Sequence, residues 1–446
     1  MSLKEVVLFF TLLTRFYCNG EFVIPEVTLE AYDPKGFRAS IPAINGIQMF
    51  AFHANVNNDI SQVEPGNFSK DFTEPTDGNL WSYYNSELQL KIGDEVNYWI
   101  FVQYEKLGYR KDNLKWKVTE LVKIGDKPCK NSITSVSGKT LICKDDLVFE
   151  EQFNKPKIDD KKWIIEQYIP TYNSLDYEFV SYQNRPEVCF INDNKLFIKP
   201  KIASSDNEVN GELDLRGSCT KKTDDECFHK RDIYLIVPPV TSGRIVSRFR
   251  FKYGKIEIKA KLPSGDWIYP EVYLEQVNNP RRKLWIAYAR GNDKLLANND
   301  EDIGGSLLFS GPVLHHQEPE RSQYLKTKRA DKPFTSEIHR YIVTWEKDRI
   351  AVEVDGDVYA EVDKKDVDSI GFAENDMVQI VLGVGVGGVN DFPDNYRSGS
   401  NVKPWENNDN KQVKNFYMAK DNWMKSWKLT TDNRALQVDS IKVWAV

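Results

Sequence analysis

Few residues in this sequence have the type and spacing for chemistry. Gly383-Val384-Gly385-Val386-Gly387-Gly388 matches the string GxGxxG, but a phosphate cradle needs a tight turn that runs straight into a helix N-terminus. Here Asn390-Asp391-Phe392-Pro393-Asp394 follows and forbids an immediate helix, so the glycines read as a strand end beneath a close-packed neighbour. His315 and His316 are adjacent and would point to opposite faces of a strand, and His339 stands alone in a strand-like run. No Cys/His spacing fits structural zinc and no GxSxG elbow occurs. The expectation is no cofactor and no metal.

Aromatic residues offer a different chemistry. Trp81 and Tyr83 alternate in NLWSYYNSEL, so on a strand they share one face. Such rings can stack on the apolar faces of sugars, while Asp59, Arg110 and Asp112 could bond the hydroxyls. These five residues form the candidate glycan-binding set. The alternative for Trp81 is a place in the core, where most large aromatics lie.

The elements that would hold them are strands. Residues 21–123 alternate short β-rich runs (FVIPEVTLEAY, IQMFAFHANV, LQLKIGDEVNYWIFVQY) with clusters of Pro, Gly, Asn and Asp, the rhythm of a β-sandwich. Residues 124–146 turn polar and read as a linker pinned by a disulfide. Strand signals resume over 147–446, from KLFIKPKI to the closing LQVDSIKVWAV, and the best helical period is a short one near KPWENNDNKQVKNFYMAKDNWMKSW. The predicted fold class is all-β, an N-terminal immunoglobulin-like β-sandwich followed by a larger concanavalin-like β-jelly roll. A strand at the very C-terminus ties the tail into a sheet.

Composition excludes some partners. The 60 basic and 66 acidic residues give a formal charge of −6 and are spread without a basic stripe, which argues against nucleic acid. Residues 1–20, MSLKEVVLFFTLLTRFYCNG, carry a lysine, an apolar run and small residues, and read as a secretory signal peptide. Beyond them no stretch approaches the roughly 20 apolar residues that span a bilayer. Without Cys18, five cysteines remain; in an oxidising compartment Cys129–Cys143 and Cys219–Cys227 are the natural loop-closing pairs, and Cys189, in EVCFI, reads as a buried free thiol. Asn67-Phe68-Ser69 is a glycosylation sequon.

The stretch LPSGDWIYPEVYLEQVNNPRRKLWIAYARGN, with YGKIEIKAKLP before it and HRYIVTWEKDRIAVEVDG, GVGVGG and QVDSIKVW after it, resembles the laminarinase-like branch of glycoside hydrolase family 16. That resemblance covers residues 147–446 and implies a concave jelly roll lining a glucan cleft. Retaining glycosidases need two carboxyl groups about 5–5.5 Å apart, which this family supplies from one bulged strand as E-x-D-x-x-E. Anchored on Ala289-Arg290-Gly291-Asn292, those positions fall on Lys283, Trp285 and Tyr288, so the resemblance implies a domain without its catalytic carboxylates. Glu271 and Glu275, on a neighbouring strand, read as cleft-rim or surface carboxylates.

More narrowly, WIYPEVYLE and IAYARGN, together with VIPEVTLEAYDPKGFRASIP, IQMFAFHANVN, LKIGDEVNYWIFV and LGYRKDN, resemble the insect β-1,3-glucan recognition proteins, also called Gram-negative bacteria-binding proteins. The resemblance implies a secreted haemolymph pattern-recognition protein of innate immunity. Its N-terminal module would bind microbial β-1,3-glucan, and its inactive domain would engage serine proteases of the Toll/prophenoloxidase cascades, with a peptidoglycan recognition protein as a further partner. The alternatives are recognition of bacterial cell wall (peptidoglycan) and an endo-β-1,3-glucanase with relocated acids. The chain departs from its relatives at two places: LWSYYNS stands where they carry a basic RWTFRDR-like segment, and the connection from Gln276 to Arg282 is short.

Overall fold

Period-two alternation decides which face of each strand is buried. In the computed structural model the described residues are 22–61, 64–73, 75, 80–85, 87–123, 131–137, 142–172, 177–315, 320–363, 365–366 and 376–446. The segment read as a signal, Cys129 and His316 lie outside them. Contacts divide the chain into two units, Met1–Pro128 and Cys129–Val446.

The first unit is an immunoglobulin-like sandwich of β1 (Thr28–Asp33), β2 (Phe37–Pro42), β3 (Ile47–Val56), β4 (Phe68–Phe72), β5 (Leu80–Asn85), β6 (Glu95–Tyr104), β7 (Leu107–Lys117) and β8 (Val122–Lys123). One sheet has the order β5-β2-β1-β8, the other β4-β3-β6-β7. On β6, Val96, Tyr98, Ile100 and Val102 are buried, whereas Trp99, Phe101 and Gln103 are only partly covered. The buried set meets Phe37, Ala39 and Ile41 of β2 in the core between the sheets.

The second unit is a jelly roll of two large sheets. The strands used below are β9 (Arg244–Lys252), β10 (Ile268–Gln276), β11 (Lys283–Tyr288), β12 (Leu307–Val313) and β13 (Val378–Val386). They run in the order Trp163–Ile165, β9, β13, β10, β11, β12, Lys326–Arg329. The opposing sheet has Leu436–Trp444 among its inner strands, hydrogen-bonded to Gly254–Lys261, Lys195–Ile198 and Leu147–Glu151. Ile268, Val272 and Leu274 of β10 join apolar side chains of both sheets in one continuous core. The segment with helical period forms short helices at Gln412–Met418 and Lys420–Trp423 and a 3₁₀ turn at Met424–Trp427. Among the described residues no helix is long and apolar enough to cross a membrane.

Residues 131–137 and 142–146, read from sequence as part of a linker, belong to the second unit. Val136 pairs with Phe251, the Ser132 hydroxyl donates to the Val446 carbonyl at 2.7 Å, and Asp145 N–H donates to the Ala445 carbonyl at 2.9 Å. Cys219 and Cys227 form a disulfide, and Cys143 is also disulfide-bonded. Cys189 is a buried free thiol, and burial pushes its pKa up to about 12.

Candidate functional site

The five residues expected to contact glycan divide between the two sheets of the first unit. Trp81 and Tyr83 sit on β5, opposite Ile41 and Ala39 of β2, and are only 2% and 7% exposed. The Tyr83 ring packs across the sandwich on Phe52 of β3, with centroids 5.5 Å apart, and burial raises its hydroxyl pKa. Neither ring offers a face to a sugar. The expectation that they stack on glycan is corrected: inward pairing with two fully buried apolar residues makes them core. Arg110 and Asp112 lie on β7 of the β4-β3-β6-β7 sheet, and Asp59 lies in the loop that follows β3.

That sheet has an aromatic which the sequence reading passed over. Trp99 of β6 projects outward, because its neighbours Tyr98 and Ile100 turn inward. The His53 ring of β3 stacks on it at 3.9 Å with 7° between planes, and the Arg110 guanidinium of β7 lies 4.2 Å from its centroid. Polar bonds lock this stack: His53 Nε2 to Asp71 Oδ1 at 2.9 Å, Trp99 Nε1–H to the Glu64 carbonyl at 3.0 Å, and Arg110 Nε–H to Asp112 Oδ1 at 2.6 Å. Asp59 shares Lys115 with Glu95, each at 3.3 Å, and its side chain is 91% exposed. The result is a layered cation and ring system that holds Arg110 and Asp112 in place, with Asp59 exposed in its ion pair with Lys115.

On the second unit, Lys283 and Trp285 of β11 pair with Glu275 and Tyr273 of β10. The pairing of β11 with β12 shifts between Trp285 and Tyr288, and this bulge gathers Tyr288 against Trp285, with ring centroids 4.4 Å apart. Lys283, Trp285 and Tyr288 are 6%, 3% and 5% exposed. The Lys283 ammonium lies 4.7 Å from the Tyr273 ring centroid. Burial pushes the Tyr288 hydroxyl well above the usual phenol range.

Glu271 and Glu275 are not rim or surface groups, contrary to the sequence reading; they are 3% and 5% exposed. Arg244 of β9 is the reason. Its guanidinium donates to Glu275 Oε2 at 2.9 Å and to the Tyr273 hydroxyl at 3.0 Å, lies 3.6 Å from Glu271 Oε1, and also pairs with Glu166. Burial opposes the charge of Arg244, but Tyr273, Glu275 and Glu271 around it raise its pKa overall. Three carboxylates around one guanidinium, with the Lys283 ammonium nearby, form a closed ion cluster. Below it Gly383 and Gly385 of β13 leave the space that Glu271 and Tyr269 fill. Beside Trp285 and Tyr288 opens a cleft of about 520 Å³, also lined by Arg290, Phe309, Arg321 and Asp391.

The chain is an all-β protein, a small sandwich followed by a larger jelly roll. Residues 23–140 match the family CBM39, described as a carbohydrate binding domain (family 32). The chain is 31% identical to β-1,3-glucan-binding protein 1 of Galleria mellonella, over 99% of this chain and 100% of that protein. It is likewise 31% identical to Gram-negative bacteria-binding protein 1 of Drosophila melanogaster, over 97% of this chain and 98% of that one. The catalytic domain of an endo-1,3-β-glucanase (laminarinase) from Thermotoga petrophila RKU-1 is similar at 18% identity and TM-score 0.44, covering 68% of this chain and 98% of its own. The chain belongs to the insect family of β-1,3-glucan-binding and Gram-negative bacteria-binding proteins.

Proposed function

We propose that the protein is a secreted pattern-recognition protein that binds microbial β-1,3-glucan through the outer face of its first unit and does not hydrolyse it. The relatives named as binding proteins match over nearly the whole chain, and this observation carries the reading. The contact residues would be Arg110, Asp112 and Asp59, with Trp99 and His53 as their support. A glucan chain presents hydroxyls at a regular repeat, and a rigid row of charged groups can bond them without reordering side chains. Asn67, at the sequon, would carry glycan, and the expected Cys129–Cys143 bridge would close a loop at the start of the second unit.

The absence of hydrolysis is supported by the chemistry of the second unit. Lysine and tryptophan cannot form a glycosyl ester, and a phenol held far above its usual pKa is no nucleophile near neutral pH. The carboxylates described above on that face, Glu166, Glu271 and Glu275, all pair with Arg244, which holds them as ion partners and not as an acid and a nucleophile. In this reading the second unit engages serine proteases of a Toll or prophenoloxidase cascade, and a peptidoglycan recognition protein is a further partner.

Pull-down on insoluble curdlan, with peptidoglycan as the competing matrix, tests the reading, alongside assay of reducing ends released from laminarin. Retention on curdlan without release of reducing ends is expected. Retention on peptidoglycan alone would replace β-1,3-glucan with bacterial wall as the ligand. Turnover of laminarin abolished by Glu271→Gln would overturn the non-enzymatic reading.

A further inference from the structure

The loop between β3 and β4 is gripped by its carbonyls. Asn55 of β3 and Asn97 of β6 are cross-strand partners, two residues along from the His53–Trp99 pair and therefore on the same outer face. Both are polar, yet they are only 8% and 5% exposed. Asn55 Nδ2–H donates to the Asp59 carbonyl at 2.9 Å, and Asn97 Nδ2–H donates to the Asn58 carbonyl at 3.1 Å. Two buried amides thus hold the carbonyls on either side of the Asp59 Cα.

The rest of the loop is seated in the same way. The Glu64 carbonyl accepts from Trp99, and the Pro65 carbonyl lies 3.1 Å from His53 Nδ1. Asn67 N–H donates to Asn55 Oδ1 at 2.7 Å, and Asn57 N–H donates to the Glu95 carbonyl at 2.8 Å. Ile60 is buried, and a Cβ on Gly66 would come within 2.4 Å of the Ala54 carbonyl oxygen, so the loop backbone lies directly on β3. The Asn97 Oδ1 is buried and has no hydrogen-bond partner among the described residues. A buried acceptor left unpaired is a cost that an apolar side chain would avoid, so the Asn97 amide serves through its N–H. The Asp59 carboxylate is the opposite case. Its side chain is 91% exposed and paired with Lys115 at 3.3 Å, a surface pairing that solvent screens.

We propose that Asn55 and Asn97 are positioning residues: they fix the Asp59 backbone so that its carboxylate accepts a hydrogen bond from a hydroxyl of the bound glucan. The assignment rests on the glucan reading above and names a device that serves it. A carboxylate accepts from a sugar hydroxyl as a charge-assisted bond. A loop ordered before binding loses little further freedom when the sugar arrives, so the two amides raise affinity without touching the ligand. Because both act on carbonyls around one Cα, their effect on binding passes through Asp59. Loss of either grip keeps the carboxylate but frees its position.

Calorimetric titration of the full chain with soluble laminarin tests it. Asp59→Ala should weaken binding about tenfold, the usual contribution of one hydrogen bond to a charged group. Asn97→Ala and Asn55→Ala should each weaken it several-fold. In the double variant Asp59→Ala/Asn97→Ala the second substitution should cause no further loss, a non-additivity that a general loss of stability does not produce. Near-UV circular dichroism checks folding. Hydrogen exchange of the unliganded wild type, which needs no variant, should show the Asn57 and Asn67 amides exchanging far more slowly than in a free peptide. Unchanged affinity in Asp59→Ala, additive losses in the double variant, unchanged affinity in both folded asparagine variants, or free-peptide exchange at both amides would overturn the proposal. Wild type that binds neither laminarin nor curdlan would sink the glucan reading and this assignment with it. Wild type that binds, with Asp59→Ala binding equally well, sinks this assignment alone.

Discussion

Gly383 lies directly across from Glu271 in the pairing of β13 with β10, and a Cβ at position 383 would come within 2.1 Å of Glu271 Oε2. The same holds two pairs along, where a Cβ on Gly385 would meet the Tyr269 ring at 2.2 Å. The glycine run is therefore a floor cut away beneath a buried carboxylate and a buried phenol. Gly383→Ala should lower the stability of the second unit by about 2 kcal/mol or more through overpacking. Urea denaturation checks this, and combining Gly383→Ala with Glu271→Ala should recover part of the loss as a measured coupling. Full additivity of the two would refute the steric account.

Core and contact roles in the first unit separate experimentally. Trp81→Ala should cost about 3–5 kcal/mol, seen as a lower urea midpoint. Arg110→Ala should change stability by about 1 kcal/mol or less, because the side chain lies on the surface, yet reduce retention on curdlan. If Arg110→Ala and Asp112→Ala are both retained like wild type, the outer sheet face is not the contact surface.

Removing one carboxylate from the Arg244 cluster tests whether Glu275 is structural. Glu275→Gln removes the negative charge that pairs with Arg244 at 2.9 Å and should destabilise by about 3 kcal/mol, the usual cost of breaking a buried pair from one side. Reducing-end release from laminarin should stay at background in both wild type and variant. Wild-type turnover lost on this substitution would assign Glu275 a role in chemistry.

Cys189 supplies a pH-dependent prediction. Burial raises its pKa from 9.0 to about 12, so the folded protein binds its proton more tightly than the unfolded chain. That contribution to stability is complete below pH 9 and fades as pH climbs towards about 12. At pH 8 an aromatic disulfide reagent should label Cys189 only after denaturant is added. Labelling of the native protein at the rate of a free exposed thiol would contradict its burial.

Much of the architecture was legible in the sequence, and the misreadings share one cause. Alternation along EVNYWIFVQY gives the strand and its inward set, and continued one step it turns Trp99 outward. Alternation along LWSYYN shows that Trp81 and Tyr83 share a face, but which face is inside depends on pairing with Ala39 and Ile41, distant in sequence. Glu271 and Glu275 look like surface residues until Arg244 is brought beside them by the β9–β13–β10 order. The register shift that gathers Lys283, Trp285 and Tyr288 followed the family resemblance, whereas the closed state of that ion cluster required long-range contacts that no local pattern encodes.

The strand Leu436–Trp444 is hydrogen-bonded on its flanks to segments beginning at Gly254, Lys195 and Leu147. During synthesis on the ribosome, the larger sheet pair therefore waits for nearly its last residues before an inner position is filled. Until then the neighbouring strands present unpaired edges, the situation in which nascent chains recruit chaperones or aggregate. The sandwich ahead of it, whose described pairings close by Lys123, has no such delay, so a stalled or truncated translation product would retain the sandwich while losing the jelly roll.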